Sequence, residues 1–151
     1  MPMRLGSHKE LVAELPWLGV AALALVGTLS VEHFVVHRQI VLPTLELTTR
    51  PPFWMYAAMI APELVVFFAA GYRLRTWLAL VMYAGIGGLV RSAYHLALQL
   101  AQEPGHQLAG HERLSEFAMT TPVVAVGYML VLAVAAWSGE DERRLSDASG
   151  T

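Results

Sequence analysis

Four long apolar runs constrain this chain more than any other feature of its sequence. A helix needs about 20 residues to cross the hydrocarbon of a bilayer. Lipid contains no water to hydrogen-bond the backbone, so a single spanning segment must be helical to satisfy its own N–H and C=O groups. The sequence therefore predicts an all-α integral membrane protein, an antiparallel four-helix bundle formed by residues 1–137. Residues 138–151 are predicted to be a polar, flexible tail. The runs are Leu15 to Val36, Phe53 to Tyr72, Trp77 to Leu100 and Phe117 to Trp137.

Lysine and arginine residues in the flanks predict the orientation of the bundle, because they concentrate on the cytoplasmic side. Six of them fall on one side of the predicted spans and three on the other, which favours cytoplasmic termini and location in the cell (inner) membrane. The larger group is Arg4, Lys9, Arg73, Arg75, Arg143 and Arg144, and the smaller group is Arg38, Arg50 and Arg113.

Composition excludes several classes of function. Charged residues make up 15% of the chain, against about 25% in soluble domains. The chain contains no cysteine, which excludes disulfides and thiolate metal sites. The net charge is −2 and no basic run occurs, so nucleic acid is not an expected partner. No metal and no cofactor is predicted.

Short breaks and small residues predict how the helices connect. The tight turn from Gly71 to Thr76 predicts that the second and third helices are antiparallel neighbours. Gly85, Gly87 and Gly88 predict close approach of another helix. Pro16 is expected in the first turn of the first helix, where a missing N–H costs little.

Ionisable residues inside the runs indicate where function lies, since a charge at membrane depth costs about 2.5 kcal/mol or more. Alternating helix directions predict that all four helices place such residues in the outer half of the bundle. Glu63 is the deepest, and Arg91 is its expected partner. The catalytic candidates are Glu63, His95 and His37, and the candidates for binding a substrate are Glu32, His33, Arg91, Tyr94, Glu116 and Thr120.

Each of these residues also has a structural interpretation. Glu63 and Arg91 form an ion pair that holds the helices together in one alternative. His33 and His37 are then interfacial histidines, and His106 and His111 are solvated loop residues. A further alternative is a haem held axially by His37 and His95.

Several short segments resemble the sigma-2 receptor and emopamil-binding (EXPERA) family. They are HRQIVLP from His37 to Pro43, PPFW from Pro51 to Trp54, APELVVF from Ala61 to Phe67, and HERL from His111 to Leu114. The resemblance covers roughly residues 30–137. It implies a membrane helix bundle with a buried cavity that binds sterols or cationic amphiphiles, and in one branch a sterol double-bond isomerase.

Carried over residue by residue, the resemblance places Glu63 at the family's buried carboxylate of the second helix. The family's acidic residue of the first helix falls at His37 here. Glu32 takes that role only if the first helix turns it toward the same cavity.

A second resemblance is to DoxX-like membrane proteins, through Glu63 and the turn GYRLRT from Gly71 to Thr76. The leading prediction is a protein that binds an isoprenoid or sterol-like lipid and isomerises or cyclises it by acid–base chemistry. The alternatives are a non-catalytic subunit of a larger membrane complex and a haem-carrying electron-transfer subunit. The expected partners are a hydrophobic small molecule or lipid, the bilayer, and copies of the chain or other subunits.

Overall fold

The described part of the chain is helical almost throughout. A computed structural model describes residues 4–41, 43, 52–102 and 110–149. Helix α1 runs from His8 to Val31 and continues as a π-helical segment, Glu32–Val41. The helices that follow are α2 (Phe53–Gly71), α3 (Trp77–Gln102) and α4 (Gly110–Ser149).

Helix α1 begins earlier than the apolar run that predicted it. Ser7 caps the helix: its hydroxyl accepts from the backbone N–H of Glu10, and the Glu10 carboxylate accepts from the backbone N–H of Ser7. This reciprocal capping box satisfies two backbone donors at a helix start. Pro16 therefore lies inside α1 rather than in its first turn, so that prediction was wrong.

The start of α3 is held by the N-terminal segment of the chain. The carbonyls of Arg4 and Leu5 accept from the N–H groups of Trp77 and Leu78 at 3.0 and 3.3 Å. Free N–H groups at a helix start need such partners. Helices α1 and α3 therefore begin at the same end of the molecule, which also carries the 72–76 turn and is called the turn end below.

The helices do not pack in the order that the short turn predicted. Helices α1 and α4 each pack against both α2 and α3. Helices α2 and α3 make little direct contact and face each other diagonally across the bundle. The prediction that α2 and α3 are neighbours was therefore wrong. The reason is steric: a side chain at Gly71 would collide with the Leu132 backbone, and one at Gly139 would collide with Tyr72. These two glycines let α4 approach the end of α2 closely.

Helix α4 extends beyond both predicted limits. It starts at Gly110, within the predicted polar loop, and continues to Ser149, through the segment predicted to be a flexible tail. After Gly139, Glu140 and Asp141 precede Arg143 and Arg144 in the sequence by two to four positions, and opposite charges three or four positions apart support a helix. His106 lies outside the described residues.

Within the described residues, three helices are long and apolar enough to cross a membrane: His8–Arg38, Trp77–Ala101 and Glu112–Glu142. The apolar helix in the predicted second span, Ile60–Gly71, is shorter than the roughly 20 residues that a helix needs to cross a bilayer. In the most apolar 18-residue stretch of Glu112–Glu142, only 11% of the residues are buried within the protein. The apolar surface therefore points outward, as it does where lipid replaces water.

The glycines of α3 differ in what they allow. A side chain at Gly87 would collide with the Phe67 ring, and one at Gly88 would lie 2.9 Å from the Thr121 carbonyl oxygen. These two glycines permit the close approach that the sequence predicted. Gly85 meets nothing within 4 Å, so the prediction for Gly85 was wrong.

We expect Gly88→Ala to destabilise the protein by about 1–3 kcal/mol, because the added methyl group overpacks the α3–α4 contact. Gly85→Ala is the matched control in the same helix, and it should change stability by no more than about 1 kcal/mol, in the stabilising direction. Thermal unfolding in detergent measures both. Equal effects of the two substitutions would contradict this packing.

Candidate functional site

Glu63 links three helices through one carboxylate. The residue is 1% exposed. The Nε–H of Arg91, on α3, donates to both of its oxygens at 3.1 and 2.9 Å, and the hydroxyl of Tyr128, on α4, also donates to Oε2. The predicted ion pair of Glu63 and Arg91 is thus confirmed, and it spans the diagonal between α2 and α3.

Aromatic packing positions the Tyr128 hydroxyl. The Tyr128 ring stacks on Phe67, with centroids 3.8 Å apart and planes 15° apart. Phe67 lies one helical turn after Glu63, and Gly87, one turn before Arg91, leaves room for its ring. Sequence reasoning missed Tyr128, although it is the only tyrosine in an otherwise apolar run.

Glu32 is a second buried acidic residue beside this network. It is 6% exposed and begins the π-helical segment after α1. Its carboxyl interacts with that of Glu63 and, electrostatically, with Arg91. One of its oxygens, Oε2, is buried and has no hydrogen-bond partner among the described residues. Glu32 therefore lies toward Glu63, as the family resemblance required, but neither of the two cavities described below is lined by both carboxylates.

A cavity of about 220 Å³ adjoins Glu32 and is called the histidine cavity here. The rings of His33 and His37 are nearly parallel, with centroids 5.9 Å apart. His95 reaches the same cavity from α3. Four of the predicted site residues thus line one cavity: Glu32, His33, His37 and His95. The lining residues are Leu29, Glu32, His33, His37 and His95.

A second cavity of about 260 Å³ lies between α3 and α4 and is called the arginine cavity. His95 lines this cavity as well as the histidine cavity. Arg91 connects it to the Glu63 network. Its polar lining residues are Arg91, Ser92, His95, Gln99, Arg113, Glu116 and Thr120.

Other predicted site residues make local contacts. The Tyr94 hydroxyl donates to Ser30 Oγ at 3.1 Å and so ties α3 to α1 rather than lining either cavity. The Thr120 hydroxyl donates to the backbone carbonyl of Glu116 at 2.8 Å. Glu116 and Thr120 are exposed residues of the arginine cavity. His111 lies at the start of α4.

The buried charges do not balance. Glu32 and Glu63 are two acidic groups, and Arg91 is the one guanidinium that reaches them in the described structure. Glu63 has its hydrogen bonds satisfied, so the excess negative charge is associated with Glu32. A buried charge is stable only when a proton, a cation or hydrogen-bond donors compensate it. The arrangement can therefore accept a proton or bind a donor group at Glu32.

Metal and haem sites find little support in this geometry. Among the described residues, no group of three or more His, Asp or Glu side chains is arranged to hold a metal ion. His37 and His95 share the histidine cavity, but its volume is below the roughly 300–1,000 Å³ of pockets that hold drug-sized ligands. A haem does not fit between these two histidines as they stand.

Comparison with protein-family models, curated proteins and solved structures finds no match to this chain. The resemblances drawn from short motifs accordingly stay predictions.

We expect Tyr128→Phe to lower the stability of the protein by about 1–2 kcal/mol, because the Glu63 carboxylate loses a buried donor. Tyr94→Phe makes the same chemical change at a neutral hydrogen bond and should cost about 0.5 kcal/mol. Unfolding of both variants in the same detergent gives the comparison. A Tyr128 variant no less stable than the Tyr94 variant would show that Glu63 does not depend on this hydroxyl.

Proposed function

We propose that this protein is a four-helix bundle of the cell (inner) membrane with the turn end and both termini in the cytoplasm. Arginines Arg4, Arg73 and Arg75 lie at the turn end, which supports this orientation. The exposed apolar surface of the helices supports membrane insertion. Helix α2 completes the bundle, and its apolar part Ile60–Gly71 packs between α1 and α4.

We propose further that the protein binds the polar end of an isoprenoid or sterol-like lipid in the histidine cavity. The single observation that carries this proposal is Glu32 Oε2, a buried acceptor without a partner in the described structure, at a cavity that Glu32 itself lines. A ligand with a hydroxyl or ammonium group supplies the missing donor. A hydrogen bond to a charged group contributes about 1.5–3 kcal/mol.

The size of the cavity limits how much of the ligand enters it. A volume of about 220 Å³ accommodates a polar group and a few carbon atoms rather than a whole lipid. The apolar body of the ligand then lies outside the cavity, in the surrounding lipid. This division fits a lipid that enters sideways from the bilayer.

Acid–base chemistry on a carbon–carbon double bond is the reaction that the residues of this cavity support best. Isomerisation adds a proton at one carbon and removes another from an allylic carbon, so no net proton and no oxidant is consumed. A carboxyl group and three imidazoles around one space supply both a proton donor and an acceptor. Glu32 stabilises the carbocation between the two steps. Glu32 thus takes the role that the sequence gave to Glu63.

Glu63 then has a positioning role. Its carboxylate is hydrogen-bonded to Arg91 and Tyr128, and in the described structure Glu63 lines neither the histidine cavity nor the arginine cavity. It fixes Arg91, and Arg91 lines the arginine cavity. A non-catalytic subunit, the alternative function, keeps the Glu63 network but has no ligand at Glu32.

Two glutamine substitutions separate the roles of the acidic residues. Glu32→Gln should weaken lipid binding about 10- to 100-fold, as expected for a lost hydrogen bond to a charged group. It should leave stability unchanged or raise it, because an excess buried charge is removed. Glu63→Gln should destabilise the protein by about 3 kcal/mol, because Arg91 loses its partner.

Lipids that co-purify with each variant, identified and quantified by mass spectrometry, measure the binding. Glu112→Gln is the control, since Glu112 is exposed on α4 and lines neither the histidine nor the arginine cavity. Retention of the same lipid at full occupancy by the Glu32 variant would overturn the proposal. So would the absence of any co-purified lipid from the unmodified protein.

A further inference from the structure

A groove of about 370 Å³ runs between α1 and α2, away from both polar cavities. These two helices pack less extensively than α3 and α4 do. Four of the residues that line the groove are alanines, Ala21 and Ala24 on α1 and Ala69 and Ala70 on α2, and its other aliphatic lining residues are Val20, Val65 and Val66. Two rows of alanine leave a cleft where larger side chains would interlock.

The groove changes from polar to apolar along both helices. On α1 its lining begins with Glu14 and Trp17, and continues to Ala24. On the other wall it begins with Arg73, in the 72–76 turn, and continues down α2 to Val65. Both polar ends lie at the turn end of the molecule. The groove therefore has a charged mouth at one membrane surface and an apolar floor that extends toward the membrane interior.

The charged mouth presents one cation and one anion. The Arg73 guanidinium stacks on the Trp17 ring, 3.7 Å from its centroid. Stacking uses the face of the guanidinium and leaves its in-plane N–H donors for a ligand. Glu14 lies about one turn before Trp17 and accepts from the Tyr83 hydroxyl with Oε2 at 3.3 Å. Tyr83 thus holds the carboxylate in place.

We propose that this groove is a binding site for a zwitterionic glycerophospholipid. One acyl chain lies between the alanine rows, the phosphate accepts hydrogen bonds from Arg73, and the ammonium group of the head approaches Glu14. Charge complementarity decides the class of lipid. A purely anionic head would be repelled by Glu14, and an uncharged one would offer no phosphate to Arg73.

Detergent-solubilised protein titrated with phosphatidylethanolamine, and observed by native mass spectrometry, tests the proposal. We expect the first phosphatidylethanolamine molecule to bind with higher affinity than any further molecules of the same lipid. Arg73→Gln should weaken this binding about fivefold or more, in line with the attraction of one arginine for a lipid phosphate. Arg75→Gln is the matched control in the same turn, because Arg75 does not line the groove, and it should change affinity less than twofold.

Two further comparisons test the head group and the chain. Phosphatidylglycerol with the same acyl chains should bind more weakly than phosphatidylethanolamine, and Glu14→Gln should abolish that preference. Ala24→Phe should block the groove and weaken binding of both lipids without disturbing the core, since Ala24 is exposed.

The proposal is overturned if Arg73→Gln and Arg75→Gln behave alike, if diacylglycerol binds as tightly as phosphatidylethanolamine, or if the anionic lipid binds more tightly. These outcomes are independent of the histidine cavity, which lies toward the opposite end of α1. Binding at Glu32 should be unchanged in every groove variant.

Discussion

The carboxylate of Glu63 is the interaction on which the rest of this fold depends. A lone buried charge is too unfavourable to persist, so its partners must be brought to it from other helices. Arg91 comes from α3 and the Tyr128 hydroxyl from α4. Because α2 and α3 face each other diagonally, the ion pair crosses the centre of the bundle. It therefore fixes the relative positions of three helices that apolar packing alone would allow to slide.

This network is also the reason why we propose the ligand site at Glu32 and not at Glu63. Arg91 is committed to Glu63 through Nε, and Glu32 is left as the acidic group with a buried oxygen unsatisfied among the described residues. A satisfied carboxylate is suited to structure, whereas an unsatisfied one is suited to a ligand or a proton. The π-helical turn at Glu32 brings His33 and His37 to the same cavity.

The sequence predicted the pairing of Glu63 with Arg91 because charges in lipid have few ways to be compensated, and alternating helix directions placed both at one depth. The diagonal arrangement of α2 and α3 was not predictable from the length of their turn, since it depends on how closely α4 approaches Gly71. Ser7 and Glu10 have the spacing of a capping box, so the true start of α1 was available in the sequence. Tyr128 was overlooked because an aromatic residue in an apolar run is usually packing. The histidine cavity was not predictable from the sequence. Its volume depends on how the two helices cross, on the π-helical turn at Glu32 and on the side-chain rotamers.

If Glu32 is the carboxyl group that binds the ligand, a small apolar reagent should reach Glu32 and should not reach Glu63. Labelling of delipidated protein with a hydrophobic carbodiimide, followed by peptide mapping by mass spectrometry, measures this directly, because the reagent modifies carboxyl groups that it can reach within the membrane. We expect modification of Glu32, protection of Glu32 when lipid is restored, and no modification of Glu63. Labelling of Glu63 with Glu32 unmodified would show that Glu63, and not Glu32, faces the ligand.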